Sequence, residues 1–189
     1  MVLYVAWDLE TTDLLRPNKL TEIISIGWYS DENVYGEVYA MPTIPIEPGA
    51  ESVHGLNVTT LTQRGAGTIP EAIAAFLDAL KAINDNVVLV AHNGVRFDEI
   101  LLRQALRVHS LFLPDNVVGF LDTIHLADRI RINGSRTLDR LMEIYKVDID
   151  RSLHTALVDS KCLKIVFDLM NANGDAVHCT RMFANELSI

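Results

Sequence analysis

The chain has 189 residues, 49% of them apolar, and a net charge of −9. That length suits one domain, residues 1–189, with enough apolar matter for a core, and no apolar run reaches the ~18 residues of a membrane span. The acidity excludes a broad, non-specific clamp on nucleic acid but not a small site gripping one strand end, because residues 1–90 carry 4 basic against 12 acidic side chains and residues 91–189 carry 12 against 13.

Val2 to Trp7 is an apolar run ending at Asp8, and it predicts a buried strand rather than a signal peptide, which would start with basic residues. Ile23–Tyr29 and Val34–Met41 predict two further strands joined by a turn at Ser30–Asn33. Pro42, Pro45, Pro48 and Gly49 then predict a loop. Thr68, Pro70 and Glu71 open a helix with a capping box, and Ile73, Phe76, Leu77 and Leu80 form its apolar stripe. Val87–Ala91 is a short strand, and a helix follows from about Phe97 with Leu101, Leu102 and Ala105 inward. Val117–Leu121 predicts another strand, with a helix from Asp122 through Ile130. Leu138, Leu141, Met142 and Tyr145 mark a helix, and the last runs from about Thr155 to Met170. This order predicts an α/β fold, a mixed sheet with helices on its faces. The two cysteines, Cys162 and Cys179, have no metal-like spacing, so an intracellular, cytoplasmic setting is expected.

Four carboxylates contradict this apolar pattern. Strand alternation places Asp8 and Glu10 on the side of Tyr4 and Ala6. Asp98 lies three and four residues before Leu101 and Leu102, and Asp159 four before Leu163, so both fall on apolar helix faces. Taken singly, Asp98 also fits a helix cap, and Asp8 with Glu10 a solvated strand end. Together they are four acids aimed inward from three elements, with no basic partners on the same stripes. Buried unpaired carboxylates are costly, and a shared site for hard divalent cations removes the conflict. Two such ions suit phosphoryl chemistry, and His154, five residues before Asp159, is a candidate base for a water's proton. Five residues is not a same-face spacing, so the chain before the helix must bring His154 inward.

Asp8-Leu9-Glu10-Thr11-Thr12, Val90-Ala91-His92-Asn93-Gly94-Val95-Arg96-Phe97-Asp98 and His154-Thr155-Ala156-Leu157-Val158-Asp159 resemble, in order, the three exonuclease motifs of the DnaQ-like superfamily. Val53-His54-Gly55-Leu56 is similar to the segment these enzymes place beside the terminal nucleotides, and Asp122-Thr123 to a strand-to-helix junction. The resemblance spans residues 2 to 170. It implies a ribonuclease H-like fold with a mixed five-stranded sheet flanked by helices. It implies a 3′–5′ exonuclease of the histidine (DEDDh) branch, releasing nucleoside 5′-monophosphates with two Mg²⁺ ions, for which Mn²⁺ substitutes. Asp8, Glu10, Asp98 and Asp159 would hold the metals, and His154 would be the general base. Thr11 and Thr12 would meet the terminal sugar, His54 and Leu56 the last bases, and Asn93 a neighbouring nucleotide.

The second motif looks closest to TREX-type DNA exonucleases, which favours the 3′ end of single-stranded DNA over RNA. A homodimer or a polymerase partner is compatible with the same residues. Asp13 stands where many relatives have glycine and adds negative charge near the strand end. The alternatives are an exoribonuclease of the same fold, a polymerase proofreading subunit, a phosphatase with Asp8 as nucleophile, and a catalytically silent nucleic-acid-binding module.

Overall fold

A computed structural model of the chain describes residues 2–151 and 154–183. Its centre is a mixed sheet in the order β3-β2-β1-β4-β5-β6. The strands are β1 (Val2–Thr11), β2 (Ile23–Asp31), β3 (Val34–Tyr39), β4 (Asn86–Ala91), β5 (Val117–Asp122) and β6 (Arg181–Met182). β1, β4 and β5 run parallel, whereas β2, β3 and β6 join antiparallel. The sheet has six strands, not the expected five. The extra one, β6, is two residues long and pairs with Gly119 and Phe120. So short a strand has no periodicity to find in a sequence.

Central strands are buried on both faces, which is why they appear as continuous apolar runs. In β4, Val87, Leu89 and Ala91 enter one core with Trp7, Phe76, Leu102 and Phe120. Val88 and Val90 enter a second core with Leu126, Leu141, Val166 and Phe167. Helices α3 (Ile69–Lys81) and α4 (Asp98–His109) supply the first layer. Helices α5 (Thr123–Arg129), α6 (Leu138–Tyr145) and α7 (Ala156–Met170) supply the second. No helix among the described residues is long and apolar enough to cross a membrane.

The helix expected at Thr68–Glu71 begins there, with Thr68 and Glu71 closing the capping box. The segment after Pro42, expected as a loop, contains a pair of short helices, α1 (Pro48–His54) and α2 (Val58–Gln63). Pro48 opens α1 rather than breaking it, since proline fits the first helical position. Asn57 and Thr60 cap α2 reciprocally, a signal that was present in the sequence.

One contact fixes the distance between the layers at the site. A Cβ on Gly27 of β2 would fall 2.1 Å from the Ala156 carbonyl carbon and 2.3 Å from the Leu157 nitrogen. Glycine therefore lets the first turn of α7 rest on the backbone of the sheet. Ser160 Oγ shares its donor between the carbonyls of Ala156 (2.6 Å) and Gly27 (3.0 Å), pinning the same turn.

Candidate active site

Beyond Ala6, β1 has no β4 partner on its parallel edge. Three acids collect at this open end. Asp8, Glu10 and Asp159 each offer a carboxylate oxygen, all within 4.8 Å of one another. The alternation expected for β1 holds, because Val5, Trp7 and Leu9 fill one core while Tyr4 packs in the other, on the α7 side. Gly27, paired with Asp8 across β1 and β2, brings α7 low enough for Asp159 to reach both acids.

Asp98 stands beside this trio. It is 4% exposed, is the first residue of α4, and accepts hydrogen bonds from its own N–H and that of Leu9 in β1. Burial raises its pKa to about 7, against those two bonds. Glu10 is raised to about 8, first by burial, then by Asp159, Glu37 and Asp98. Asp8 is pushed well up by burial and then by Asp98, Glu10 and Asp159. Glu37, across the sheet from Gly27, had no signal in the sequence as a neighbour of this cluster.

Among the described residues these acids have a cationic neighbour, Arg151, that the apolar stripes could not reveal. Arg151 lies in the coil before α7 with its side chain 11% exposed. Its Nε donates to Asp159 Oδ1 at 2.6 Å, its Nη1 pairs with Asp139, and its Nη2 lies 3.3 Å from His154 Nδ1. Its charge lowers the pKa of Asp8 and Glu10, but less than burial and the other acids raise them. His154 is brought inward, as its spacing required: Nδ1 lies 3.1 Å from Asp159 Oδ2, and the side chain is 36% exposed. One arginine cannot balance four carboxylates. The hard oxygen donors that converge from β1 and α7 fit a divalent cation well, whereas Asp98 on α4 neighbours this trio without joining the set within 4.8 Å.

This imbalance predicts a pH dependence. A carboxyl whose folded pKa is raised contributes stability that is fully present below its unfolded value and is lost as pH rises through the folded one. With chelator, the melting temperature should therefore fall as pH rises from the ordinary carboxylate range, 3.8 to 4.5, through about 7 to 8. Mg²⁺ should remove most of that fall, and Asp8→Asn should flatten the chelator curve. A chelator profile that stays level between pH 5 and 8 would contradict it.

Of the five residues expected at the nucleotide, Asn93 is exposed and the others are not. Thr11, Thr12, His54 and Leu56 are 7, 0, 5 and 3% exposed, so their side chains offer a nucleotide little surface. Instead they build the wall of the site. Thr12 Oγ1 accepts from Glu22 N at 3.0 Å, and the Thr12 carbonyl accepts from Glu47 N at 2.9 Å. His54 Nδ1 accepts from Leu56 N at 3.0 Å, so Nε2 carries the proton and donates to the Thr11 carbonyl at 3.2 Å. Burial lowers the His54 pKa. Leu56 packs with Ile24 and Leu61.

Asp13 does not stand as an unbalanced charge. It accepts from Leu14 N and Lys19 Nζ, with Arg16 at 3.5 Å, and Lys19 also reaches Glu47. The Lys19 bond holds its carboxyl below the usual range. Asp13 thus ties the loop after β1 to the start of α1.

No protein-family model matches the chain. It is similar to the DNA polymerase III subunit epsilon of Buchnera aphidicola, with 31% identity over 182 residues, 90% of this chain and 73% of that protein. It is also similar to the PolC-type DNA polymerase III of Ureaplasma parvum, with 34% identity over 173 residues, 90% of this chain but only 12% of the polymerase. Among solved structures, the nuclease domain of 3′hExo, a DEDDh family member bound to rAMP, matches with a TM-score of 0.74. That match covers 96% of both chains at 19% identity, which establishes the shared fold.

Proposed function

Because the chain belongs to the DEDDh, DnaQ-like family of metal-dependent 3′–5′ exonucleases, we propose that it removes nucleoside 5′-monophosphates from the 3′ end of single-stranded DNA. The observation that carries this reading is the convergence of Asp8, Glu10 and Asp159 within 4.8 Å, with Asp98 and His154 beside them. These four acids would hold two divalent ions, Mg²⁺ with Mn²⁺ as its substitute. When bound, such a pair activates a water and offsets the charge on the attacking and leaving oxygens.

The chain's own residues divide the remaining work. Asp159 Oδ2 and Arg151 Nη2 lie 3.1 and 3.3 Å from His154 Nδ1 and hold that side of the ring in the cluster, which leaves Nε2 as the nitrogen to take the water's proton. The exposure of His154 keeps it within reach of that water. The terminal sugar would rest against the wall that Thr11, Thr12 and His54 build at the end of β1. Asn93 would meet the next nucleotide, a reading supported by its exposure at the turn before Asp98.

DNA is favoured because two of the chain's relatives are DNA polymerase III proteins. The same likeness supports a second reading, in which the chain edits for a polymerase partner. The test uses DNA and RNA oligomers labelled at either end, with Mg²⁺ and with chelator. Mg²⁺-dependent release of mononucleotides from the 3′ end of DNA is expected, blocked by a 3′-phosphate and indifferent to a 5′-phosphate. Faster digestion of RNA would overturn the substrate class, and rapid cutting of a circular single strand would overturn the exonuclease reading.

A further inference from the structure

Asp122 is a carboxylate buried to 2% exposure at the end of β5, outside the catalytic set. It caps α5 through one bond, from Ile124 N to Oδ1 at 2.9 Å. That task needs one oxygen, and serine, threonine or asparagine would serve. Asp122 also does two things that a cap does not require. Oδ1 accepts from Asn93 N at 3.0 Å, and Oδ2 accepts from Val95 N at 3.1 Å, reaching 29 and 27 residues back along the chain.

Those two bonds hold the turn that delivers Asp98. Asn93 sits in the left-handed region with φ 60° and ψ 23°, and residues Gly94–Arg96 form one tight turn. A Cβ on Gly94 would meet that of Ala91 at 2.5 Å, so the turn lies close against the end of β4. The next residue, Phe97, has φ −139° and ψ −80° and makes no side-chain cap for α4. The start of α4, and with it Asp98, is therefore set by the turn. Oxygens that accept three N–H groups call for a carboxylate. An asparagine would turn its amide hydrogens toward at least one backbone N–H.

We propose that Asp122 is the positioning residue of the carboxylate site, acting through Asp98 by fixing the turn from His92 to Phe97. The inference rests on the reading of Asp98 as a metal-holding acid. Asp122 does not touch substrate or metal itself. Its carboxylate clamps the second motif onto β5, so that the first residue of α4 arrives beside Asp8. Groups that orient metal-holding residues in this way are commonly worth 10- to 100-fold in metal affinity or activity.

The experiment measures Mn²⁺ affinity without substrate, by the free-ion resonance signal, and turnover of a single-stranded DNA oligomer. It compares the wild type, Asp122→Asn, Asp122→Ser, Asp98→Asn and the double variant Asp98→Asn/Asp122→Asn. Serine keeps the α5 cap but is too short to bridge Asn93 and Val95, so it serves as the test if the asparagine variant does not fold. Mn²⁺ affinity and kcat are expected to fall about 10- to 100-fold in either Asp122 variant, with KM changed much less. The double variant should bind Mn²⁺ no more weakly than Asp98→Asn alone, because the two residues act in series. A folded Asp122→Ser that binds Mn²⁺ like the wild type would overturn the proposal, as would losses that add in the double variant. If Asp98→Asn itself leaves Mn²⁺ affinity unchanged, it is the reading of Asp98 that falls, and this inference falls with it.

Discussion

Gly27→Ala should remove nearly all exonuclease activity, although the residue lies on β2 and carries no functional group. The new methyl would stand 2.1 Å from the Ala156 carbonyl carbon and 2.4 Å from its oxygen. These are backbone atoms, so no side chain can turn aside to make room. The first turn of α7 must lift from the sheet, and Asp159 and His154 are carried by that turn or just before it. Ser160 would lose its bond to the Gly27 carbonyl at the same time. Overpacking of this kind costs about 1–3 kcal/mol, and more where backbone must move. A displacement of about 1 Å at a catalytic group costs ~10²-fold in rate, and here two groups move together. Melting temperature, Mn²⁺ affinity and turnover on the same preparation would check this. A variant with the wild-type rate would show that the contact between β2 and α7 does not set the position of Asp159.

His154→Ala is expected to lower kcat by about 10²–10⁴, the usual range for a lost general base. Metal affinity should stay close to the wild type, because the imidazole is not among the oxygen donors and, among the described residues, meets the acid trio at Asp159. Arg151 complicates the variant in a useful way. It already bonds Asp159 Oδ1 and stays in place when the ring is removed, so Asp159 keeps a partner. The fold should therefore tolerate the change, and the loss should appear in the rate alone. If metal affinity collapses with the rate, His154 holds the cluster rather than the proton. If the rate hardly changes, the proton goes elsewhere.

The sequence alone determined which acids face inward, because they violate its own patterning. Asp8 and Glu10 follow the strand's two-residue period, and Asp98 and Asp159 follow a helical one, so their inward faces were decided by local geometry. The caps at Thr68 and Thr155 and the apolar runs of the central strands are local in the same sense. Tertiary structure decided what depends on chain segments far apart in sequence. Arg151 comes from coil, where no period tells which way a side chain points, and its pairing with Asp159 follows from where α7 lands. The burial of Thr11, Thr12, His54 and Leu56 comes from α1 meeting the end of β1 and from Leu56 packing on Ile24 and Leu61, and α1 begins at a proline that resembles a breaker. The three bonds of Asp122 join residues up to 29 positions apart, and the closeness at Gly27 joins residues more than a hundred apart. Which acids face inward is written in the spacing of neighbours. How close they come, and which group orients them, is set by long-range packing that no local period encodes.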